Sequence, residues 1–440
     1  MDYNIENTVI YTKDFENHGF SILLGQGAYR DSYSKSLGLT KYDIPVDNFD
    51  DGSLNLGVPI SSTDPSGSEG TEHKVSSLFT RVTYNYKEKY LFNGILRRDG
   101  SSRFGGNNKY GVFPSVSLGW VVSKEGFWPE NEAVNTLKLR GGYGVVGNDN
   151  IGDFAYTSTI GSGRNYTFGS ESTDYSPGYS PNAPANPDLK WEETSQLNIG
   201  FETRLFSNFR LEFDWYKKET SDMLQRPYIP LYVGAIENPA RNIGTMENRG
   251  VELNLGYNKD FGDFGISVNA NASYLENEVT YLGNESHIDE VSFQGFGNQL
   301  VTRTEVGRPL NSFYGYQTLG VFQNQQEIDA YVDGNGNAIQ PNAAPGDFKW
   351  QDTNGDGVIA EDDRVHIGNP TPDWSYGLTI KLDYKNIDFT VFGQGVAGNQ
   401  IFQGLRRLDI PNANYQASAL GRWTGEGSTN SQPRVTKTDP

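Results

Sequence analysis

The sequence predicts an all-β protein, an antiparallel transmembrane β-barrel, and three observations carry that expectation. The first is a period of two. The stretch from Leu189 to Leu224 reads LKWEETSQLNIGFETRLFSNFRLEFDWYKKETSDML. Leu197, Ile199, Phe201 and Leu205 fall on one side, and Gln196, Asn198, Glu202 and Arg204 on the other. Past a turn at Phe206-Ser207-Asn208, Phe209, Leu211, Phe213 and Trp215 alternate with Arg210, Glu212, Asp214 and Tyr216. A period of two is a strand, not a helix. Each arm exceeds the ~5–6 residues usual in soluble proteins and reaches the ~10 a bilayer-spanning strand needs. The second is that connections tend to alternate in length, with short turns at 87–89, 206–208, 258–264 and 385–386 and long loops at 99–111, 147–188, 225–242 and 322–371. Outer-membrane barrels keep turns short on one side and loops long on the other, whereas a sandwich has mostly short connections. The third is that no amphipathic helix is available to cover a sheet.

Composition bounds the alternatives. At 440 residues with 35% hydrophobic residues, no run approaches the ~20 apolar residues of a transmembrane helix. A barrel escapes that requirement, because its lipid face uses every second residue. Aromatics reach 13%, which suits interfacial girdles, although a set of aromatic-rich β-sandwiches fits as well. Cysteine is absent, so disulfides, zinc-thiolate sites and thiol catalysis are excluded. The net charge of −19 argues against nucleic acid as a partner. Met1 is followed by the polar, alternating DYNIENTVIY, where an export signal is basic and then apolar. The chain is therefore expected to begin part-way through a longer protein.

Taken in order, Asn7 to Lys13 and Gly19 to Arg30 read as a hairpin and Asp31 to Gly70 as a loop. Lys74 to Tyr86 and Tyr90 to Arg97 pair across 87–89, and DGSSRFGGNNKYG (Asp99 to Gly111) is turn chemistry. Phe113 to Val122 and Leu137 to Val146 are strands. Ser123 to Thr136 is long where the alternation wants a short turn. Gly250 to Tyr257 and Ile266 to Tyr274 form a hairpin, and Tyr281 to Phe296 a loop. Gln299 to Thr304 is a weak strand needed to keep the alternation in phase, and Phe313 to Val321 a better one. After the long 322–371 loop, Trp374 to Tyr384 and Ile387 to Gly393 close the series of about 14 strands.

Several stretches resemble the SusC/RagA family of TonB-linked outer-membrane proteins. They are LRRDGSSRFGGNNKYGVFPSVSLGW (Leu96 to Trp120), LKLRGGYGVVGNDNIGDFAY (Leu137 to Tyr156), NPDLKWEETSQLNIGFE (Asn186 to Glu202), NRGVELNLGY (Asn248 to Tyr257), GRPLNSFYGYQTLGVFQ (Gly307 to Gln323) and DTNGDGVIAEDDRVHIGNPTPDWSYGL (Asp352 to Leu378). The resemblance implies a plugged outer-membrane barrel importing oligosaccharides, or in some branches peptides, under a SusD-like surface lipoprotein lid with TonB supplying energy. The plug and the final strands have no counterpart in this chain, which looks like the middle and later part of such a barrel. The rival classes are a siderophore receptor and a secreted carbohydrate-binding sandwich.

No catalytic constellation stands out, so an enzyme is not expected. His18, His73, His287 and His366 lack metal-ligand spacing. Glu192 and Glu193 read as solvated charge, and Gly105-Gly106 and Gly141-Gly142 as turn and packing glycines rather than phosphate loops. Arg97, Glu202, Arg204, Glu212, Asp214 and Glu252 are expected on the wet face. Tyr156, Tyr166, Tyr175, Tyr179 and Tyr232 could stack on sugars, with no spacing rule to choose among them.

The sharpest site is a calcium loop at Asp352 to Asp363, DTNGDGVIAEDD. Asp352, Asn354 and Asp356 hold positions 1, 3 and 5 of a twelve-residue loop, Gly357 the sharp turn at 6, the Val358 carbonyl 7 and Asp363 the closing position 12. Asp in place of Glu at 12 is the dockerin-like variant. Ala360 at 9 leaves that ligand to water, and the expected role is structural.

Overall fold

In the computed structural model the described residues are 2–31, 35–38, 46, 48, 66–69, 72–129, 132–161, 164–167, 175–176, 178–227, 229, 232, 234, 236–292, 300–405 and 415–436. Its largest sheet holds twelve antiparallel strands. They are Tyr3–Phe15, His18–Asp31, His73–Tyr86, Tyr90–Ser101, Tyr110–Val121, Val134–Asn148, Glu192–Leu205, Phe209–Ser221, Thr245–Phe261, Phe264–Tyr281, Trp374–Tyr384 and Ile387–Ala397. Their order in the sheet is their order in the sequence, an up-and-down meander. No helix among the described residues is long and apolar enough to cross a membrane.

The chain falls into two compact units. One comprises Met1–Trp128, Lys138–Leu197 and Thr220–Ile243, the other Pro129–Leu137, Asn198–Glu219 and Gly244–Pro440. Within each, the strand period puts large apolar side chains on one exposed face. In the first unit Tyr110, Val112, Val116, Leu118 and Trp120 are all exposed at every second position. In the second, Ile387, Phe389 and Val391 stand 70%, 58% and 47% exposed. In water this would be an aggregation surface; in a bilayer it is the solvated one. The other face is polar. Arg97 donates to Asp99 at 2.6 Å and to Ser77 at 3.0 Å, and Arg210 pairs with Glu212.

Registers align aromatic rows beside the short turns. In the first unit Phe15, His18, Tyr86, Tyr90 and Trp120 are successive cross-strand partners. In the second, Phe261, Phe264 and Tyr384 follow one another in the same way. Glu125 anchors the first row, accepting from Tyr90 Oη at 2.7 Å and Trp120 Nε1 at 3.1 Å. Several turns are tight enough to force the left-handed region: Lys87 and Glu88 have φ of 52° and 51°, Phe206 and Ser207 of 48° and 60°. Two consecutive left-handed residues make the primed turn whose twist matches a hairpin.

The connections depart from the sequence expectation in instructive ways. The 258–264 turn shrinks to Gly262-Asp263, because both strands run on to Phe261 and Phe264. The Leu300–Glu305 strand exists but lies outside the large sheet, and Gln299 is outside the described residues. It joins His287–Ser292, Ser312–Tyr316 and Arg364–Gly368 in a separate four-stranded sheet. The expected Phe313 to Val321 strand breaks at Gln317, and Thr318–Val321 pairs instead with Phe348–Trp350. Phe264–Tyr281 therefore pairs directly with Trp374–Tyr384. The whole of 282–373 is one excursion, and the alternation of connections stays in phase without a strand at 300–305. Residues 322–371 within it carry a helix at Gln325–Asp329 and two of those short strands. Of the expected Asp31 to Gly70 loop, Lys35–Gly38 pairs with Ser66–Glu69; most of the remainder lies outside the described residues, as does Ser170.

Candidate functional site

Asp352 to Asp363 folds into a closed loop held by its own acidic side chains. Asp352 Oδ1 accepts the Gly355 N–H at 2.7 Å and Oδ2 the Gly357 N–H at 2.8 Å. Asn354 Oδ1 accepts from Asp356 N–H, and Asp356 Oδ1 from Val358 N–H, both at 2.9 Å. These side-chain-to-backbone turns curl the chain around its oxygens. Gly355 and Gly357 sit at φ +76° and +86°, where an L side chain is strained. At Gly357 a Cβ would also come within 2.8 Å of Asp333 Cβ.

Asp363 closes the loop from inside. It is 0% exposed. Its Oδ1 takes the Thr353 N–H at 2.7 Å and its Oδ2 the Ala360 N–H at 2.8 Å, with the Thr353 hydroxyl adding a bond at 3.3 Å. Burial pushes this carboxyl up, and donation from Ala360, Thr353 and Asn354 outweighs it, leaving the group below the usual carboxylate range. Among the described residues no cationic side chain contributes to that lowering. Arg364 is adjacent in sequence, but its guanidinium donates to the carbonyls of Leu300 at 2.7 Å and Tyr314 at 3.2 Å.

Oxygen atoms of Asp352, Asp356 and Asp363 all lie within 4.8 Å of one another. Two ligands of one calcium at ~2.4 Å can be at most ~4.8 Å apart, so the three carboxylates meet the spacing of a single hard cation. Asn354 lies among them, its Nδ2 donating to Asp356 at 3.1 Å and to Asp362 at 3.0 Å. Val358 joins through its N–H bond to Asp356.

A second feature is a core beneath the loops of the first unit. Phe104 (2% exposed), Phe113, Leu189 (0%), Trp191 and Ala240 are buried together, with Val145, Ile151, Ala155, Tyr156 and Leu224 packed against them. Trp191 meets Phe104 and Phe113 with ring centroids 5.2 and 5.4 Å away, and donates Nε1–H to the Lys109 carbonyl at 3.2 Å. The DGSSRFGGNNKYG run is thus more than solvated turn chemistry, since it lends Phe104 to a core. Glu192, expected as solvated charge, accepts from Asn148 Nδ2 at 2.9 Å and Leu224 N–H at 3.1 Å, tying the loop bases. The segments around Phe104, Leu189 and Ala240 are far apart in sequence, and no periodicity within one segment marks these apolar residues as a shared core.

The histidines are separately engaged. His18 bonds Tyr84 Oη at 2.7 Å within an aromatic row, His366 bonds Glu305 at 2.8 Å, and His287 lies 3.7 Å from Asp289. His73 bonds Asp149 at 2.8 Å beside Ser101, which donates to the same Asp149 oxygen at 2.7 Å. This is not a nucleophilic triad. Ser101 donates to the carboxylate and lies 3.4 Å from the same His73 Nε2 that bonds Asp149, so the imidazole does not stand between the two, and Ser101 is fully buried. Of the loop tyrosines, Tyr156 belongs to the core, while Tyr166, Tyr179 and Tyr232 are exposed, the last at 89%.

A meander of long strands, apolar on its exposed face and polar on the other, with short turns and built loops, defines an outer-membrane-type β-barrel. The chain belongs to the family described as TonB dependent receptor-like, beta-barrel, which it matches over residues 2–438. It is 34% identical to TonB-dependent receptor P26 of Formosa agariphila over 98% of this chain and 43% of that protein. It is 32% identical to TonB-dependent receptor SusC of Bacteroides thetaiotaomicron over 84% of this chain and 37% of that one. The solved RagAB peptide transporter superposes with a TM-score of 0.73 at 25% identity, covering 90% of this chain and 41% of that chain. The chain therefore spans less than half the length of these relatives.

Proposed function

We propose that the full-length protein of which this chain forms part is a TonB-dependent outer-membrane transporter that imports an oligosaccharide beneath a SusD-like surface lipoprotein. The observation that supports this reading most is the combination of the family's barrel with loops built around a core and a folded 282–373 excursion. Such loops offer a shaped surface to a ligand and a lid, where a simple pore needs none. The likeness to the RagAB peptide transporter favours a second reading, in which the cargo is a peptide. Growth of a deletion strain on a panel of glycans and on peptides as sole nitrogen source separates the two. Normal growth on every glycan and every peptide refutes both. The same reading puts the loops at 99–111, 147–188, 225–242 and 322–371 on the exterior and the short turns in the periplasm. An epitope inserted near Ser170 of the full-length receptor is labelled on intact cells; labelling only after permeabilisation reverses the orientation.

The same reading gives the Asp352–Asp363 loop one calcium ion, held by Asp352, Asn354, Asp356, the Val358 carbonyl and Asp363. Hard oxygen donors at this spacing suit calcium. Its role is structural, pinning the excursion before the Trp374 strand. The measurement is limited proteolysis of the full-length receptor with calcium and with chelator. Equal cleavage of the loop in both, unchanged by Asp356→Ala, refutes the site.

A further inference from the structure

The acidic loop shares a folded body with a segment much later in the chain. Residues 423–434 follow the last strand of the large sheet, and loop and segment both belong to the second unit. The segment folds back on itself, the Trp423 N–H bonding the Gln432 carbonyl at 3.0 Å. It then clasps the 282–373 excursion at two places. At the first, Asn430 Oδ1 accepts the Val321 N–H at 2.9 Å, Gln323 Nε2 donates to the Thr429 carbonyl at 3.1 Å, and Gln323 Oε1 accepts the Gly427 N–H at 2.9 Å. At the second, the Arg434 N–H bonds the Gly346 carbonyl at 2.7 Å, and its guanidinium donates to the buried Asp347. The Trp423 ring lies against Gly346, which has φ +94° and where a Cβ would come within 2.6 Å of that ring.

A continuous series of contacts joins this clasp to the acidic loop. The Phe322 N–H bonds the Asp347 carbonyl at 3.0 Å, and the Phe322 carbonyl accepts the Gly346 N–H at 2.8 Å, so Phe322 fixes the turn that receives Arg434. Phe322 is fully buried, with its ring centroid 5.9 Å from that of Tyr331. Lys349 Nζ lies 5.8 Å from the first ring centroid and 4.6 Å from the second. Tyr331 Oη donates to the Trp350 carbonyl at 2.6 Å and accepts the Asp352 N–H at 3.4 Å. Asp352 in turn holds the Gly355 and Gly357 N–H groups of the loop. A close-packed interior transmits displacement, because a buried ring cannot move without its neighbours.

We propose that the Asp352–Asp363 loop and the 423–434 clasp open and close as one unit, so that calcium bound in the loop holds the clasp on the excursion. The proposal rests on the calcium reading above. An ion that binds only the closed loop stabilises everything that closes with it. Fixing Asp352 fixes Tyr331, Phe322 and the Gly346-Asp347 turn. Linkage makes the effect reciprocal. The docked clasp raises the loop's calcium affinity by the factor by which calcium favours docking.

The test follows hydrogen exchange of the full-length receptor in detergent, with calcium and with chelator. Calcium affinity is measured on the same preparations by competition with a fluorescent chelator. In the wild type, removing calcium speeds exchange of the 423–434 amides about ten-fold and leaves the Phe264–Tyr281 strand protected. Asp356→Ala exchanges at the calcium-free rate in both conditions. Arg434→Ala weakens calcium binding by the same factor of about ten, with Arg434→Lys between it and the wild type; protection of the Phe264–Tyr281 strand shows that each variant is folded. Clasp exchange indifferent to calcium, in a wild type that binds the ion through Asp356, overturns the coupling alone. So does wild-type calcium affinity in an Arg434→Ala receptor whose clasp exchanges fast. A folded wild type that binds no calcium refutes the calcium reading and the coupling with it.

Discussion

Replacing Asp363 by alanine separates the loop's architecture from its proposed metal. Asp363 is fully buried, and its two oxygens satisfy the N–H groups of Thr353 and Ala360. Removing the carboxylate strands both donors. Each stranded, half-buried N–H costs about 1–3 kcal/mol, so the loop loses about 2–6 kcal/mol with or without calcium. A loss near 3 kcal/mol raises the population of the opened loop by about two orders of magnitude. Asp356 is different. It is exposed and holds only the Val358 N–H and the Asn354 amide, so Asp356→Ala opens the loop little in chelator and removes most of the calcium effect. The assay is limited proteolysis of the folded full-length receptor, following cleavage within 352–363 by mass spectrometry. Asp363→Ala cuts fast in both conditions, and Asp356→Ala cuts like the wild type in chelator. Wild-type cleavage of Asp363→Ala would refute the assignment of Asp363 as the closing strut.

Three further expectations follow the same logic. Trp191→Ala empties the core beneath the first unit's loops and strands the Lys109 carbonyl, at a cost of about 3–5 kcal/mol; hydrogen exchange of residues 102–109 and 185–191 rises while the strands stay protected, and unchanged exchange refutes the shared core. Asp347, 5% exposed, takes both Arg434 Nε at 2.6 Å and an Arg434 terminal nitrogen at 3.1 Å; Arg434→Ala releases the 422–436 segment to protease, and protection equal to wild type removes the clamp from the account. Because Asp363 is held below its ordinary 3.8, the stability it supplies is fully present above that value and is lost as pH falls through the lower folded one. Resistance of the loop to an acid-active protease therefore holds at pH 5 and fails only well into acid; a loss centred near pH 5 contradicts the depressed carboxyl.

The sequence by itself determined the class of fold. Period-two alternation needs only neighbouring residues, since a strand's two faces follow from backbone geometry. The Leu197–Leu205 and Phe209–Trp215 arms were legible for that reason, and so were the short turns between them. The closed acidic loop at Asp352–Asp363 was legible too, because its oxygens sit at fixed sequence offsets and its glycine at a forced turn. What the tertiary structure decided was pairing over distance. Leu300–Glu305 alternates no worse than an edge strand, and nothing local tells whether it joins the large sheet or a small one. Only the direct pairing of Phe264–Tyr281 with Trp374–Tyr384 settles it. The core of Phe104, Leu189, Trp191 and Ala240 draws single apolar residues from loops of otherwise polar composition, and burial of that kind has no period to read.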